Sequence, residues 1–203
     1  MDQWFAKKKV DSKILMHSVK IEKNLLFPLY FNKLKNILTS IDFPWYFQPH
    51  TLSDQPDSYF MFTHTLFAFE RGQNSKWFKD FEPIIYFLDN KIKIKKLVRM
   101  KFNLYTNQNK KINHTAHWDS ADEKGNPRKG ITISIFNFTT CNGGTIINDK
   151  KYPSNENEAL IFDNVNKHSG IVQTNTQTRI VLNIALERNT ETHDSLGENN
   201  DVD

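Results

Sequence analysis

Apolar side chains recur at helical spacing from residue 27: Phe27, Phe31, Leu34 and Leu38, with Lys33, Lys35 and Asn36 between them. Pro28 suits the first turn of that helix, where a missing N–H matters least. A second helical face, Phe78, Phe81, Ile85 and Leu88, follows a turn over residues 71–75 with Ser75 as its N-cap. Pro83 inside it predicts a kink or a restart. Between the two helices, Tyr59 to Phe69 is aromatic, Thr-rich and β-prone. From Lys91 onward the period drops to two. Ile92 and Ile94 alternate with Lys91, Lys93 and Lys95. Val98, Met100, Phe102 and Leu104 then share one face, and Arg99, Lys101, Asn103 and Tyr105 the other. Ile131 to Phe138 alternates in the same way. Gly143-Gly144 predicts a tight turn carrying Cys141, with a strand starting at Thr145. Residues 153–157 predict a loop, and Ala159 to Asp163 a strand. In the last segment Arg179, Val181 and Asn183 face one way, and Ile180, Leu182, Ile184 and Leu186 the other. At least six short strands after two helices argue for a mainly β protein with flanking helices, folded as a distorted jelly-roll barrel.

Composition narrows the class. At 203 residues with 16 Phe the chain supports one domain with a sizeable core. We expect a single domain over residues 1–187, with an N-terminal elaboration over 1–90 and a barrel core over 91–187. Residues 1–20 are expected to form an extended arm or an added edge strand. Residues 188–203 read as an acidic, disordered tail. The single Cys141 excludes an internal disulfide and fits a reducing compartment. No apolar run reaches the length of a membrane span, and Lys7-Lys8-Lys9 precedes no apolar leader, so a cytoplasmic setting, in a cell or an infected host, is the expectation. The net charge of +4 conceals a basic body and an acidic end. A basic surface is most often a solvated face, with nucleic-acid binding as the other reading.

The chemistry gathers between residues 103 and 183. His117 and Asp119 stand two apart, so an extended backbone sends both side chains from one face. Two imidazoles and one carboxylate, with other positions open, suit a facial Fe(II) site, and His168 is the candidate third ligand. Arg179 offers a guanidinium fork for a carboxylate, with Arg99 or Lys101 next in line. His64 lies mid-strand without a nearby acid and reads as structural. His114 reads as an outer neighbour of the ligands or as exposed, and Trp118 as a core side chain in the first place, with the substrate wall as its other reading. Nothing in residues 1–90 carries chemistry on this reading.

The order His117-x-Asp119, Gly143-Gly144-Thr145, the strand Ala159–Asp163, His168-Ser169-Gly170 and then Arg179 resembles the 2-oxoglutarate/Fe(II)-dependent dioxygenases. It is most similar to the small prolyl-4-hydroxylase-like domains. The resemblance covers residues 97–187, about half the chain. It implies a double-stranded β-helix buttressed by the two N-terminal helices, with His117, Asp119 and His168 as iron ligands. It also implies 2-oxoglutarate paired with Arg179, O2 as cosubstrate, and ascorbate as a reductant. The reaction it implies releases succinate and CO2 and hydroxylates an unactivated C–H bond of a prolyl or other peptide, amino-acid or small organic substrate. Asn103-Leu104-Tyr105 resembles the Asn-x-Tyr of AlkB-type demethylases, which implies cosubstrate contacts from Asn103 and Tyr105; Asn183 shares the Arg179 face and joins them. Oxidative demethylation of nucleic acid is the rival reading, and an inert jelly-roll binding protein the third. Substrate identity and oligomeric state are not written in the motifs.

Overall fold

The computed structural model describes residues 18–52 and 59–189. The first helix, α1 (Pro28–Leu38), forms where the spacing predicts, with Pro28 at its start and Phe31, Leu34 and Leu38 buried. The second pattern splits at Pro83 into α2 (Phe78–Phe81) and α3 (Pro83–Ile92). Ser75 does not stand directly before α2, yet its hydroxyl accepts the Trp77 N–H at 3.2 Å and caps the approach. Restarting at Pro83 rotates the face, so Ile84, rather than Ile85, is withdrawn from solvent beside Phe81 and Leu88.

Helix α3 runs on through Ile92, so the lysine-rich strand starts later than the alternation suggests. Lys93 takes a left-handed conformation (φ 53°), and the Asp89 carboxylate accepts the Ile94 N–H at 2.6 Å. Helix termination at Lys93 overrides the local period-two signal. The strand β5 then spans Ile94–Thr106. Before it come β1 (Lys20–Lys23), β2 (Tyr46–Gln48), β3 (Met61–Ala68) and β4 (Gly72–Gln73). After it come β6 (Ile131–Asn137), β7 (Cys141–Ile147), β8 (Lys150–Ser154), β9 (Glu158–Asp163), β10 (His168–Ile171) and β11 (Thr178–Arg188).

These strands form two sheets facing each other. The large one runs β1-β9-β6-β11-β5-β3-β2, with β4 beside β3; the small one runs β10-β7-β8. Every ladder pair in them is antiparallel. This is the distorted jelly roll expected. Of the arm or added edge strand expected over residues 1–20, Lys20 alone of the described residues joins a strand, β1, where it pairs with Ile161; residues 1–17 lie outside the described residues, as do 190–203 of the acidic end. At that end β11 includes Arg188, which ion-pairs with Asp163.

Two apolar layers follow from the alternation. On the outer face of the large sheet, Met100, Phe102, Leu182 and Ile184 pack against Leu34, Phe81, Ile84 and Leu88 of the helices. Phe81 and Phe102 meet edge to face at 4.8 Å, and each ring contributes roughly 1.5–3 kcal/mol by leaving water. Between the sheets, Ile131, Ile133, Ile135, Leu160, Phe162 and Val181 fill the closed end. Val98 packs with this inner group, not with Met100 and Phe102, because the β5–β11 register shifts beside it. The other end stays open.

Two glycine assignments change. Gly143-Gly144 is no turn but the middle of β7, and Cys141 is its buried first residue. The turn is Asn148-Asp149, both left-handed (φ 47° and 63°), between β7 and β8. Pro153 and Ser154 consequently end a strand rather than open a loop. A β-carbon on Gly144 would stand 2.3 Å from the Tyr152 carbonyl oxygen, so close backbone approach requires glycine there.

Candidate metal centre and its cavity

The open end of the barrel is a cavity of about 560 Å³. His168 enters it at the start of β10, and His117 arrives on a short segment that bridges to it: the two residues exchange backbone hydrogen bonds of 2.9 and 3.0 Å. That exchange ties the 111–119 connection to the small sheet and sets Asp119 beside both rings. One ligand atom from each of His117, Asp119 and His168 lies within 4.8 Å of the others. His168 Nε2 stands 3.2 Å from Asp119 Oδ2, and His117 Nε2 stands 4.0 Å from Oδ1. His117 Nδ1 lies 3.2 Å from the Thr115 carbonyl, a contact that keeps the proton on Nδ1 and leaves the Nε2 lone pair for a metal.

Donors that share an ion at about 2.1 Å and right angles stand about 3 Å apart. The His168–Asp119 pair already meets that spacing, and the donor set of two imidazoles and a carboxylate suits Fe(II). Asp119 is held from two sides. The Arg99 guanidinium donates to Oδ1 at 2.6 Å, and the Asn183 amide donates to Oδ2 at 2.7 Å. Asn183 in turn accepts from Arg99 at 3.1 Å. Burial acts to raise the Asp119 pKa, but Arg99 and then the two histidines outweigh it, keeping the carboxyl well below its ordinary range. Burial, with His168 adding, pushes the His117 pKa down against the pull of Asp119. An anionic carboxylate and a neutral imidazole are the forms that ligate.

Arg179 rises from β11 deeper in the cavity, 2% exposed, where the face shared with Val181 and Asn183 puts it. Its Nη2 donates to Thr145 Oγ1 at 3.1 Å and its Cζ lies 5.6 Å from the centre of the Tyr105 ring. Its Nε has no hydrogen-bond partner among the described residues, and no acid reaches it there. Gly143 makes room for this side chain: a β-carbon there would lie 3.2 Å from Arg179 Cδ. A buried guanidinium with an idle donor, on a side chain that lines the cavity, fits an incoming carboxylate.

Of the other expected contacts, Asn103 and Tyr105 line the cavity on β5, opposite Val181 and Arg179. The Asn183 amide is engaged with Asp119, so in this geometry it orients the metal carboxylate. His64 is structural: 3% exposed, its ring nitrogens lie 2.7 Å from the Pro44 carbonyl and 2.7 Å from Ser75 Oγ. His114 is buried on the cavity wall, its ring 5.1 Å from that of Tyr105, and so is not exposed.

Trp118 lines the cavity instead of the core. Its indole N–H donates to the Val165 carbonyl at 3.1 Å, and Lys167 stands 4.3 Å over the ring. Residues 1–90, expected to carry no site chemistry, supply the opposite wall: Gln48 at the end of β2, His50 and Leu52 after it, and Met61, Thr63 and Thr65 on β3. The signal was available in the alternation of β3, which puts Thr63 and Thr65 on the face shared by Lys101 and Asn103. Lys101 itself is pushed down to about 8, chiefly by burial, with Arg99 adding and Asp119 opposing.

No family model matches the sequence, and no curated protein matches it. Solved structures do match the fold. One is an oxidoreductase of the 2OG-Fe(II) oxygenase family from Burkholderia pseudomallei: TM-score 0.61, 9% identity, 84% of this chain and 85% of that one. Another is a prolyl hydroxylase from Trichoplax adhaerens in complex with a hypoxia inducible factor peptide: TM-score 0.57, 13% identity, 87% and 86%. A third is the viral collagen prolyl hydroxylase of Paramecium Bursaria Chlorella virus-1 with 2OG: TM-score 0.54, 11% identity, 84% and 96%. At such identities the likeness is one of fold, the double-stranded β-helix. No helix among the described residues is long and apolar enough to cross a membrane.

Proposed function

We propose that this chain is an Fe(II)- and 2-oxoglutarate-dependent dioxygenase that hydroxylates an unactivated C–H bond of a peptide or amino-acid substrate. The observation that carries the reading is the convergence of His117, Asp119 and His168, within 4.8 Å of one another, on a cavity whose far side holds the acid-free Arg179. Triad and guanidinium together match what a chelated dicarboxylate requires. The fold likeness to a 2OG-Fe(II) oxygenase and to two prolyl hydroxylases supports the same reaction class.

Iron held by the triad would supply the oxidising chemistry, with decarboxylation of 2-oxoglutarate to succinate and CO2. The chain's own residues supply the rest. Arg99 and Asn183 hold the Asp119 carboxylate in one orientation. Arg179 and Thr145 receive the distal carboxylate of 2-oxoglutarate. Tyr105 and His114 cover that end from solvent, and Trp118 with the β2–β3 wall leaves a mouth through which a substrate side chain reaches the metal. His117, the most exposed ligand at 28%, faces that mouth. The experiment is uncoupled turnover: purified protein with Fe(II), 2-oxoglutarate and O2 should form succinate, and His168→Ala should not. Succinate formation unaffected by His168→Ala would sink the proposal.

A further inference from the structure

Charged groups around the cavity do not balance. Arg99, Lys101 and Arg179 line it, and Asp119 is the one acid among the described lining residues. Asp119 is claimed by Arg99 through the 2.6 Å contact. On the proposed function, on which this inference rests, the distal carboxylate of 2-oxoglutarate answers Arg179 and its other carboxylate goes with Fe(II), which leaves positive charge over. Lys101 alone has no anion in contact, and no described residue forms an ion pair or hydrogen bond with its ammonium. A half-buried cation on a cavity wall without a partner is a place where an anion can arrive.

Lys101 is also separate from the cosubstrate end. Along β11, Arg179 pairs with Tyr105 and Asn183 pairs with Lys101. Those rungs are four residues apart, about 13 Å at strand rise. On its other side Lys101 pairs with Thr65 of β3. It therefore sits on β5 between β11, which carries Arg179 and Asn183, and the wall given by Thr63, Thr65 and Gln48. The two threonine hydroxyls can share an anion's remaining oxygens. We propose that Lys101 is the substrate anchor, and that the hydroxylated substrate carries a carboxylate or phosphate that seats against Lys101 and the Thr63–Thr65 face. The lowered Lys101 pKa, about 8, agrees with a group whose charged form lacks its partner.

The full chain loaded with Mn(II) and N-oxalylglycine, an inert 2-oxoglutarate mimic, is titrated calorimetrically. The probes are N-acetyl-L-glutamate against N-acetyl-L-glutamine, and O-phospho-L-serine against L-serine. At least one anion should bind about tenfold or more tighter than its neutral partner, the pair that does so telling carboxylate from phosphate. Lys101→Met should erase the preference and Lys101→Arg should keep it, while uncoupled succinate formation in Lys101→Met keeps its 2-oxoglutarate requirement within about threefold. Equal binding of charged and neutral probes by the unaltered chain overturns the assignment, as does a preference that survives Lys101→Met. A steep rise in 2-oxoglutarate requirement in Lys101→Met overturns it too, by giving Lys101 to the cosubstrate. Absence of succinate from the unaltered chain is a different failure, of the proposed function, and shows before any probe is added.

Discussion

Arg179 heads the wholly buried side chains by volume, and its idle Nε makes the sharpest test at the residue scale. Arg179→Ala should leave metal binding nearly intact but raise the 2-oxoglutarate requirement roughly thirty-fold to several thousand-fold, the cost of losing a buried ionic partner. Arg179→Lys should fall between, keeping charge without the fork. Titrating 2-oxoglutarate at saturating Fe(II) measures both; an unchanged requirement in Arg179→Ala would end the assignment. Arg99 acts differently, through Asp119. Arg99→Gln should weaken Mn(II) binding by about 10- to 100-fold, the usual reach of a residue that orients a metal ligand. Equal Mn(II) affinity by calorimetry would show that Asn183 suffices. The triad was legible because two residues of spacing and a later His-Ser-Gly are local signals. Trp118 falls on the cavity wall, the second of its two readings, because the segment is no regular strand: residue 117 makes only an isolated bridge and 118 lies outside any strand. Arg99 was seen on the inward face, but its bond to Asp119 joins positions 20 residues apart, and nothing local encodes that closure.

At the level of elements, β7 tests how the barrel holds Arg179 in place. Gly144→Ala would push a methyl into the Tyr152 carbonyl, at 2.3 Å in the unrelaxed structure. Such overpacking costs about 1–3 kcal/mol, so the thermal midpoint should fall by several degrees for a chain of this length. Gly143→Ala crowds Arg179 Cδ at 3.2 Å as well as the Ile171 carbonyl at 2.7 Å, and should add a raised 2-oxoglutarate requirement to any loss of stability. A melt for Gly144→Ala that overlays the parent would contradict the close approach. Both helical faces and most barrel strands are readable from period alone. Two boundaries are not, for physical reasons that lie outside the period. Asp89 closes α3 with a side-chain bond, which moves Ile92 from strand to helix. Asn148-Asp149 supplies the left-handed turn that the Gly143-Gly144 pair predicts, because the glycines are needed for clearance.

Across the whole molecule, His64 couples stability to pH. It joins the Pro44 segment to Ser75 under the aromatic layer, and burial pushes its pKa below 6.5, with the Pro44 carbonyl opposing. Below that ordinary value the unfolded chain binds a proton at His64 that the folded chain refuses, so stability falls as pH drops. Asp119 acts in a lower window: its depressed pKa gives stability present above 3.8 and lost as pH falls further. Melting metal-free protein between pH 7.5 and 5.5 should therefore show a falling midpoint, and His64→Gln should flatten part of that slope; parallel slopes would remove His64 as a cause. The strand order of the large sheet has a consequence for synthesis. β11 lies between β6 and β5, the last described strand occupying the middle of the sheet. A chain emerging from the ribosome exposes the inner edges of β5 and β6 until residues 178–188 are free to insert, and only then does the vectorial process end in a closed barrel. Nascent chains halted before Thr178 should thus be protease-sensitive and should engage holdase chaperones, whereas those released after Arg188 should resist digestion at once.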